Sequence, residues 1–538
     1  MTEPPPAQRL PGRADVVVVG GGHNGLVAAT LLARAGLSVV VCETAAVLGG
    51  AARTEQPFRA APALRQSTGA YLLGLMPPEL LALLDIKLPL LRRNPHYALP
   101  SEHDSTLPSL LLGADPDANR RALEAAFSPA DARADAALGA ELAALRADLA
   151  PAWLTEPESV EATAERWIRP ALQEQFVALC RGSVVEYLDR FRFNGQRLPA
   201  MYAVTDGISG LAAGPDDPGT GHNFLVHNMC RIPGGDGTWM IVAGGMGTVA
   251  AQLAATARRA GARLCPATSV AWIDVAAGAV AGITTADERV VRAPVVLAAC
   301  DPFRLPGLVG PGVLPADLTE RLDRLFRPGV TMKVNLALAR PPRFPGLGER
   351  CAGGATVHLL PGEDRPLDAV REMWREVRAG RLPAFPTIEW YLHTTVDASL
   401  RDPAGRHSSA LFVQSVPHVP HNSTWAAELD SYVGALLAVC DRFAPGTTES
   451  VVDVFALPPP EIERHFGITG GHIHHVDNTF AFDARMPYVT GLPGLYAGSA
   501  GCHPAGSVVG AAGHNAARRI LADLDVRPGP RAGPVPNA

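Results

Sequence analysis

Asp15-Val16-Val17-Val18-Val19-Gly20-Gly21-Gly22-His23-Asn24-Gly25-Leu26-Val27-Ala28-Ala29 decides the fold. Four consecutive valines read as a strand buried on both faces. The chain then turns through Gly20, Gly22 and Gly25 into a helix running to about Ala35. In such a unit Gly20 allows the tight turn, and Gly22 lets a pyrophosphate approach the backbone. Gly25 lets the helix lie close on the sheet, with its N-terminal N–H groups facing the phosphates. A second strand, Leu37-Ser38-Val39-Val40-Val41-Cys42, ends at Glu43. That is about where a carboxylate is needed for an adenosine ribose hydroxyl, roughly 20 residues past the glycines. The glycine triplet alone is a weak signal. Strand, helix and acid together read as a dinucleotide site.

Directly after Glu43 comes Val47-Leu48-Gly49-Gly50-Ala51-Ala52-Arg53-Thr54. Paired glycines let backbone approach a ligand and Arg53 supplies a fixed cation, so this segment extends the same site. A second glycine cluster, Gly244-Gly245-Met246-Gly247, precedes a helix ending near Gly261. It lacks a preceding parallel strand and a ribose-binding acid at the right distance, which excludes a second dinucleotide site.

The 538 residues exceed what one core accommodates. With 47% hydrophobic and 19% charged residues the composition is that of a soluble globular protein, and a net charge of −6 gives no reason to expect nucleic acid. Lys87 and Lys333 are the only lysines, which with the alanine load suggests a high-GC bacterial genome. Eight cysteines include no Cys-x-x-Cys pair, so they read as reduced, buried thiols of a cytoplasmic protein and argue against dithiol–disulfide chemistry. The N-terminus is Pro-rich and carries no apolar signal core, so secretion is not expected. No apolar run is long enough to span a bilayer. Leucine-rich residues 77–93 allow peripheral contact with a membrane surface, but core packing is the expectation.

Residues 115–190 are alanine-rich with helical spacing and read as a helical cap over a sheet. Residues 269–275 and 279–285 form a hairpin, and Val295-Val296-Leu297-Ala298-Ala299-Cys300-Asp301-Pro302 a buried strand ending in a turn. From Gly329, the alternation Val330, Met332, Val334, Leu336, Leu338 places Thr331, Lys333, Asn335 and Ala337 on the opposite face of a strand. Lys333 is then either a paired lysine on a wet face or an ammonium aimed into a cavity. His472, His474 and His475 lack an acid or cysteine at ligand spacing, and no metal site is expected. Gly494-Leu495-Tyr496-Ala497-Gly498-Ser499-Ala500-Gly501 is a strand running into a turn. The helix expected over residues 507–524 is small on one face (Gly510, Ala511, Gly513), a profile suited to the far end of a bulky cofactor.

With these pieces in hand, the chain resembles the phytoene-desaturase-like flavoproteins of the flavin amine oxidase superfamily, nearest the pyridine nucleotide-disulfide oxidoreductase domain-containing protein 2 type. The likeness runs from about Asp15 to Leu524. It rests on Gly20–Gly25, Glu43, Gly49–Thr54, Gly244–Gly247, Cys300-Asp301-Pro302, Lys333-Val334-Asn335, Trp425, Gly470-Gly471 and Leu495–Ser499 with His503-Pro504 and Gly506.

The resemblance implies non-covalent FAD. Gly20, Gly22 and Gly25, with His23 and Asn24, would face the pyrophosphate and Glu43 the ribose. Gly49, Gly50, Ala51 and Arg53 would lie near pyrophosphate and flavin, and Val270 would meet the adenine through its backbone. Gly498 and Ser499 would contact the ribityl–phosphate region, with Val508 and Val509 beside the ring. Lys333 is the candidate polar partner near flavin N5 and His503 a second catalytic candidate, with Tyr202 and Trp239 in the substrate pocket. Three positions depart from the family pattern: Gly498-Ser499 stands for Gly-Asp, His472 and His474 for Asn and an aromatic, and Ala505 interrupts a glycine run.

The expected fold is α/β: a Rossmann-like FAD-binding domain interleaved with a mixed-sheet substrate domain and a helical cap. The expected division is a disordered arm at 1–14, FAD-binding segments at 15–85, 240–310 and 476–526, substrate and cap segments at 86–239 and 311–475, and a tail at 527–538. The expected activity is an FAD-dependent dehydrogenase or desaturase moving a hydride from a substrate C–H to flavin N5, on an apolar or secondary-metabolite small molecule. The alternatives are an amine oxidase, a redox-neutral isomerase and a non-catalytic flavin-stabilised protein. The electron acceptor and oligomeric state are not legible in the residues.

Overall fold

The structure, a computed structural model, describes residues 10–235, 237–347 and 353–526; the tail from 527 and most of the arm lie outside them. The end of the arm is tied down. Ala14 N–H donates to the Arg292 carbonyl and Arg292 N–H to that of Gly12, so residues 10–14 are ordered against the strand Val290–Arg292 where disorder was expected.

Five parallel strands form the first sheet, in the spatial order Leu495–Ala497, Val295–Ala298, Val16–Val19, Val39–Cys42, Arg263–Cys265. The four-valine strand is central, registered against Val295–Ala298 on one side and Val39–Cys42 on the other. Val16, Val17 and Val18 are wholly buried; each such side chain contributes roughly 1.5–3 kcal/mol of burial energy. The helix His23–Arg34 packs between the helices Gly247–Arg259 and Ala511–Asp523. Ile283 and Val291 of a three-stranded antiparallel sheet join the same core. Leu80, Leu81 and Leu84 of the leucine-rich segment are buried in it as well.

A seven-stranded mixed sheet forms the second unit, ordered Val451–Leu457, Thr331–Leu338, His407–Gln414, Thr387–Tyr391, Thr356–Leu359, Tyr97–Leu99, Leu110–Leu112. Its strands alternate between two burials. Met332, Val334, Leu336, Ile388, Trp390, Leu411 and Val413 pack with Leu436 and Val439 of the helix Trp425–Phe443. The opposite face carries Lys333, Glu389, Tyr391 and Phe412 and closes over a cavity. The helices between Pro116 and His227 have their own core and roof that cavity. Among the described residues, no helix is long and apolar enough to cross a membrane.

Candidate functional site

A single cavity of about 810 Å³ runs from the ends of the parallel strands to the mixed sheet, near the upper end of the ~300–1,000 Å³ usual for small-molecule sites. Its first half is the glycine loop. Gly20 has φ +108°, and a Cβ there would lie 3.0 Å from Cys300 N, so only glycine fits. At Gly22 a Cβ would meet nothing within 4 Å, which leaves open space beside a helix N-terminus that has no side-chain cap. Gly25 does not line the cavity: a Cβ there would stand 2.1 Å from the Gly20 carbonyl oxygen, so this glycine serves loop–helix packing.

Glu43 Oε2 accepts from Gly21 N–H and Oε1 from Ala45 N–H, each at 2.8 Å. The carboxylate thus braces the loop while lining the cavity, and each oxygen keeps a lone pair for a ligand hydroxyl. Gly49 N–H donates to the Gly21 carbonyl, which carries Gly50, Ala51 and Arg53 to the cavity wall. Arg53 Nη2 donates to the His465 carbonyl at 2.7 Å and the guanidinium lies over the Phe466 ring.

Three buried polar atoms of this wall have no hydrogen-bond partner: His23 Nε2, Arg53 Nε and His475 Nδ1. Burial holds the His23 imidazole down to about 4 and that of His475 to about 3, so both are neutral at pH 7. Unsatisfied buried donors cost about 1–3 kcal/mol each; a bound polar cofactor would meet them. Together with the open helix N-terminus and Glu43, these residues fit a dinucleotide.

The C-terminal segment differs from expectation. Its helix begins at Ala511, not Ser507. Its small face packs on protein: a Cβ at Gly513 would lie 2.0 Å from the Asn24 carbonyl oxygen, and one at Gly498 2.9 Å from Ala516 Cβ. Gly498, Ser499 and Val509 do not line the cavity; Ala500, Ser507 and Val508 do. Ser499 Oγ accepts instead from Gly501 N–H at 3.1 Å. Val270, His23 and Asn24 line the wall, and Asn24 Oδ1 also accepts from Gly513 N–H at 3.3 Å.

Lys333 lies at the junction of the two halves. Its Nζ donates to the carbonyls of Ser67, at 2.7 Å, and of Gly69. The side chain is buried, and burial pushes the ammonium well below its ordinary value. Trp239 lines the far half. Two other candidates stand elsewhere. The Tyr202 hydroxyl donates to Asp135 inside the cap, and His503 Nε2 bonds the Ala152 carbonyl at 3.1 Å. Neither lines the cavity, because each is consumed in joining cap to frame. His472 pairs with Asp477 at 3.0 Å, and His474 bonds the carbonyls of Gly506 and Ser209. Among the described residues no group of three His, Cys, Asp or Glu could hold a metal ion.

Sequence reasoning missed the far end. Glu389, Tyr391, Asp206, His227, Tyr71 and Tyr97 all line it. Thr387-Ile388-Glu389-Trp390-Tyr391 is a lone acid in an apolar alternating strand, the same signal that singled out Lys333. Asp206 and His227, 3.7 Å apart, come from separate cap elements and carry no local signal.

The description "NAD(P)-binding Rossmann-like domain" matches residues 18–85. Among solved structures, an oxidoreductase from Methanosarcina mazei shares the fold with a TM-score of 0.62 at 17% identity, covering 94% of this chain and 99% of that one. Putrescine oxidase, solved bound to putrescine, gives 0.58 at 16% identity over 96% and 99%. The mouse (Mus musculus) protein named pyridine nucleotide-disulfide oxidoreductase domain-containing protein 2 is 31% identical over 96% of this chain and 94% of its own length. A relative that similar over nearly the whole of both chains places this one: it belongs to the pyridine nucleotide-disulfide oxidoreductase domain-containing protein 2 family.

Proposed function

We propose that this chain is an FAD-dependent oxidoreductase that removes a hydride from a substrate C–H. One observation carries the reading: a single cavity joins a dinucleotide cradle to a sheet face bearing a buried lysine. Bound FAD supplies the two-electron sink, its N5 taking the hydride. The protein supplies position and a dry environment. Gly20, Gly22 and the helix behind them receive the pyrophosphate, and Glu43 a ribose hydroxyl. Val270, Gly50, Ala51 and Arg53 complete the wall around the cofactor, while Ala500, Ser507 and Val508 approach from the C-terminal side. Lys333, fixed by two carbonyls, is the polar group at the meeting point of cofactor and substrate. The name carried by the mouse relative speaks of disulfide chemistry, but the described cysteines are all free and mostly buried. Reduced thiols also support a cytoplasmic location.

The test is the absorbance spectrum of purified protein, followed by acid release and identification of the flavin. Stoichiometric FAD that bleaches anaerobically with a substrate is the expected result. Colourless protein that refuses added FAD would overturn the assignment.

A further inference from the structure

The cavity floor is one cross-strand row. Leu457, Lys333, Phe412 and Glu389 are in register on four neighbouring strands, so their side chains leave the same face. Lys333 and Glu389 are two strand spacings apart, roughly 10 Å, with the Phe412 ring between them. Glu389 is buried, and its partners are neutral donors: Gln414 Nε2 at 2.9 Å, the Tyr391 hydroxyl and the Thr205 hydroxyl. Two oxygens offer about four acceptor positions. Three are filled, and the carboxyl lines the cavity.

Other charged and titratable groups surround it. Arg93 lies behind, with Nε on the Trp239 carbonyl and Nη1 on Thr356 Oγ1, and Asp206 faces it from the cap. Tyr71, Tyr97 and Tyr391 complete the shell, each with its hydroxyl held neutral by burial. Burial pushes the Glu389 carboxyl up to about 8. An apolar hydrocarbon here would leave that carboxyl, Asp206 and three phenols without a partner, each at a cost of about 1–3 kcal/mol. An anionic group would meet two acids.

We propose that Glu389 receives the O–H or N–H of a substrate oxidised at the carbon bearing that heteroatom, which makes the substrate an alcohol or an amine rather than a hydrocarbon polyene. The inference rests on the flavoenzyme reading above. In the step, the C–H electron pair leaves with its hydrogen as hydride, reducing FAD by two electrons. The heteroatom–hydrogen pair becomes the new C=O or C=N π bond, and the released proton goes to a Glu389 oxygen. The reacting carbon then lies over Phe412, with its hydrogen toward the Lys333 side and its heteroatom toward Glu389.

The probes are benzyl alcohol, benzylamine, benzoate and ethylbenzene, with binding to the purified protein read by calorimetry and the carboxyl by pH-difference infrared spectroscopy. The two donor probes bind at least tenfold more tightly than benzoate or ethylbenzene. Glu389→Gln erases that preference and removes a carboxyl band titrating near pH 8, and benzylamine moves the band's midpoint downward in the parent protein. Glu389→Asp, which keeps a carboxyl but withdraws it by one methylene, retains a band while losing the donor preference. Anaerobic bleaching by one donor probe and not the other assigns the heteroatom. Equal affinity for donors and ethylbenzene, no donor binding at millimolar concentration, or an unchanged preference in both variants would overturn the proposal. Protein that lacks flavin would instead sink the flavoenzyme reading, since probe binding and the carboxyl band are measurable without it.

Discussion

The Lys333 ammonium nitrogen stands 4.2 Å from the centre of the Tyr71 ring. Its two hydrogen bonds go to carbonyls on the same segment, those of Ser67 and Gly69, so one side chain ties the mixed sheet to the stretch leading out of the nucleotide cradle. Lys333→Met is expected to retain FAD while slowing flavin reduction or reoxidation at least tenfold, as read by anaerobic stopped-flow absorbance. Unaltered kinetics would remove Lys333 from the chemistry and leave it a tether.

The glycines of the first turn are expected to separate by role. Gly25→Ala drives a Cβ into the Gly20 carbonyl at 2.1 Å, and neither backbone can yield cheaply. It is expected to lower the melting temperature and abolish flavin retention together. Gly22→Ala meets nothing in the protein and has an ordinary φ of −70°. It is expected to keep the parent melting temperature without cofactor but to lose flavin affinity, because its methyl enters the ligand's space. The flavin-to-protein ratio and thermal denaturation of the two variants check this.

His503 is expected to matter for stability only. Its Nε2 bond to Ala152 holds the cap to the C-terminal segment, and a neutral hydrogen bond of this kind contributes about 0.5–1.5 kcal/mol. His503→Ala should lower denaturant stability by about that much plus the packing lost, with the rate of flavin reduction unchanged. A rate loss beyond tenfold at equal flavin content would restore it to the mechanism.

The pH dependence of stability isolates Glu389. Its folded value of about 8 lies above the ~4.3 of an unfolded glutamate. Between those values the folded state holds the extra proton, so stability falls as pH rises through about 8 and levels beyond. The buried histidines act with the opposite sign and lower down. His23, His222 and His514, held to about 4 by burial, make stability rise between about 4 and 6.5. From pH 6.5 to 9, Glu389→Gln should therefore gain on the parent protein in thermal denaturation. A constant difference across that range would mean that the carboxyl titrates outside it.

The first strand, turn and helix were legible because their signals are local: four valines, three glycines and an acid within one βαβ unit. The Thr331–Leu338 strand was legible for the same reason, since alternation assigns faces without knowledge of the partner. Long-range packing was not. Gly498, Ser499 and Gly513 look like cofactor contacts in sequence, yet the chain spends them on Leu297, Ala516 and Asn24. Tyr202 and His503 are polar groups in apolar surroundings, a signal shared by pocket residues and buried structural ones. Only the observed partners, Asp135 and Ala152, separate the two cases.

The contact of Gly513 with Asn24 has a consequence for how the molecule is made. The helix that opens the nucleotide cradle is among the first structured segments to leave the ribosome, but the surface it rests on is the last helix of the fold. The strand Leu495–Ala497, which completes the parallel sheet, is equally late. Cofactor capture is therefore an event of the finished polypeptide, and a nascent or prematurely terminated chain holds an open cradle with nothing to close it.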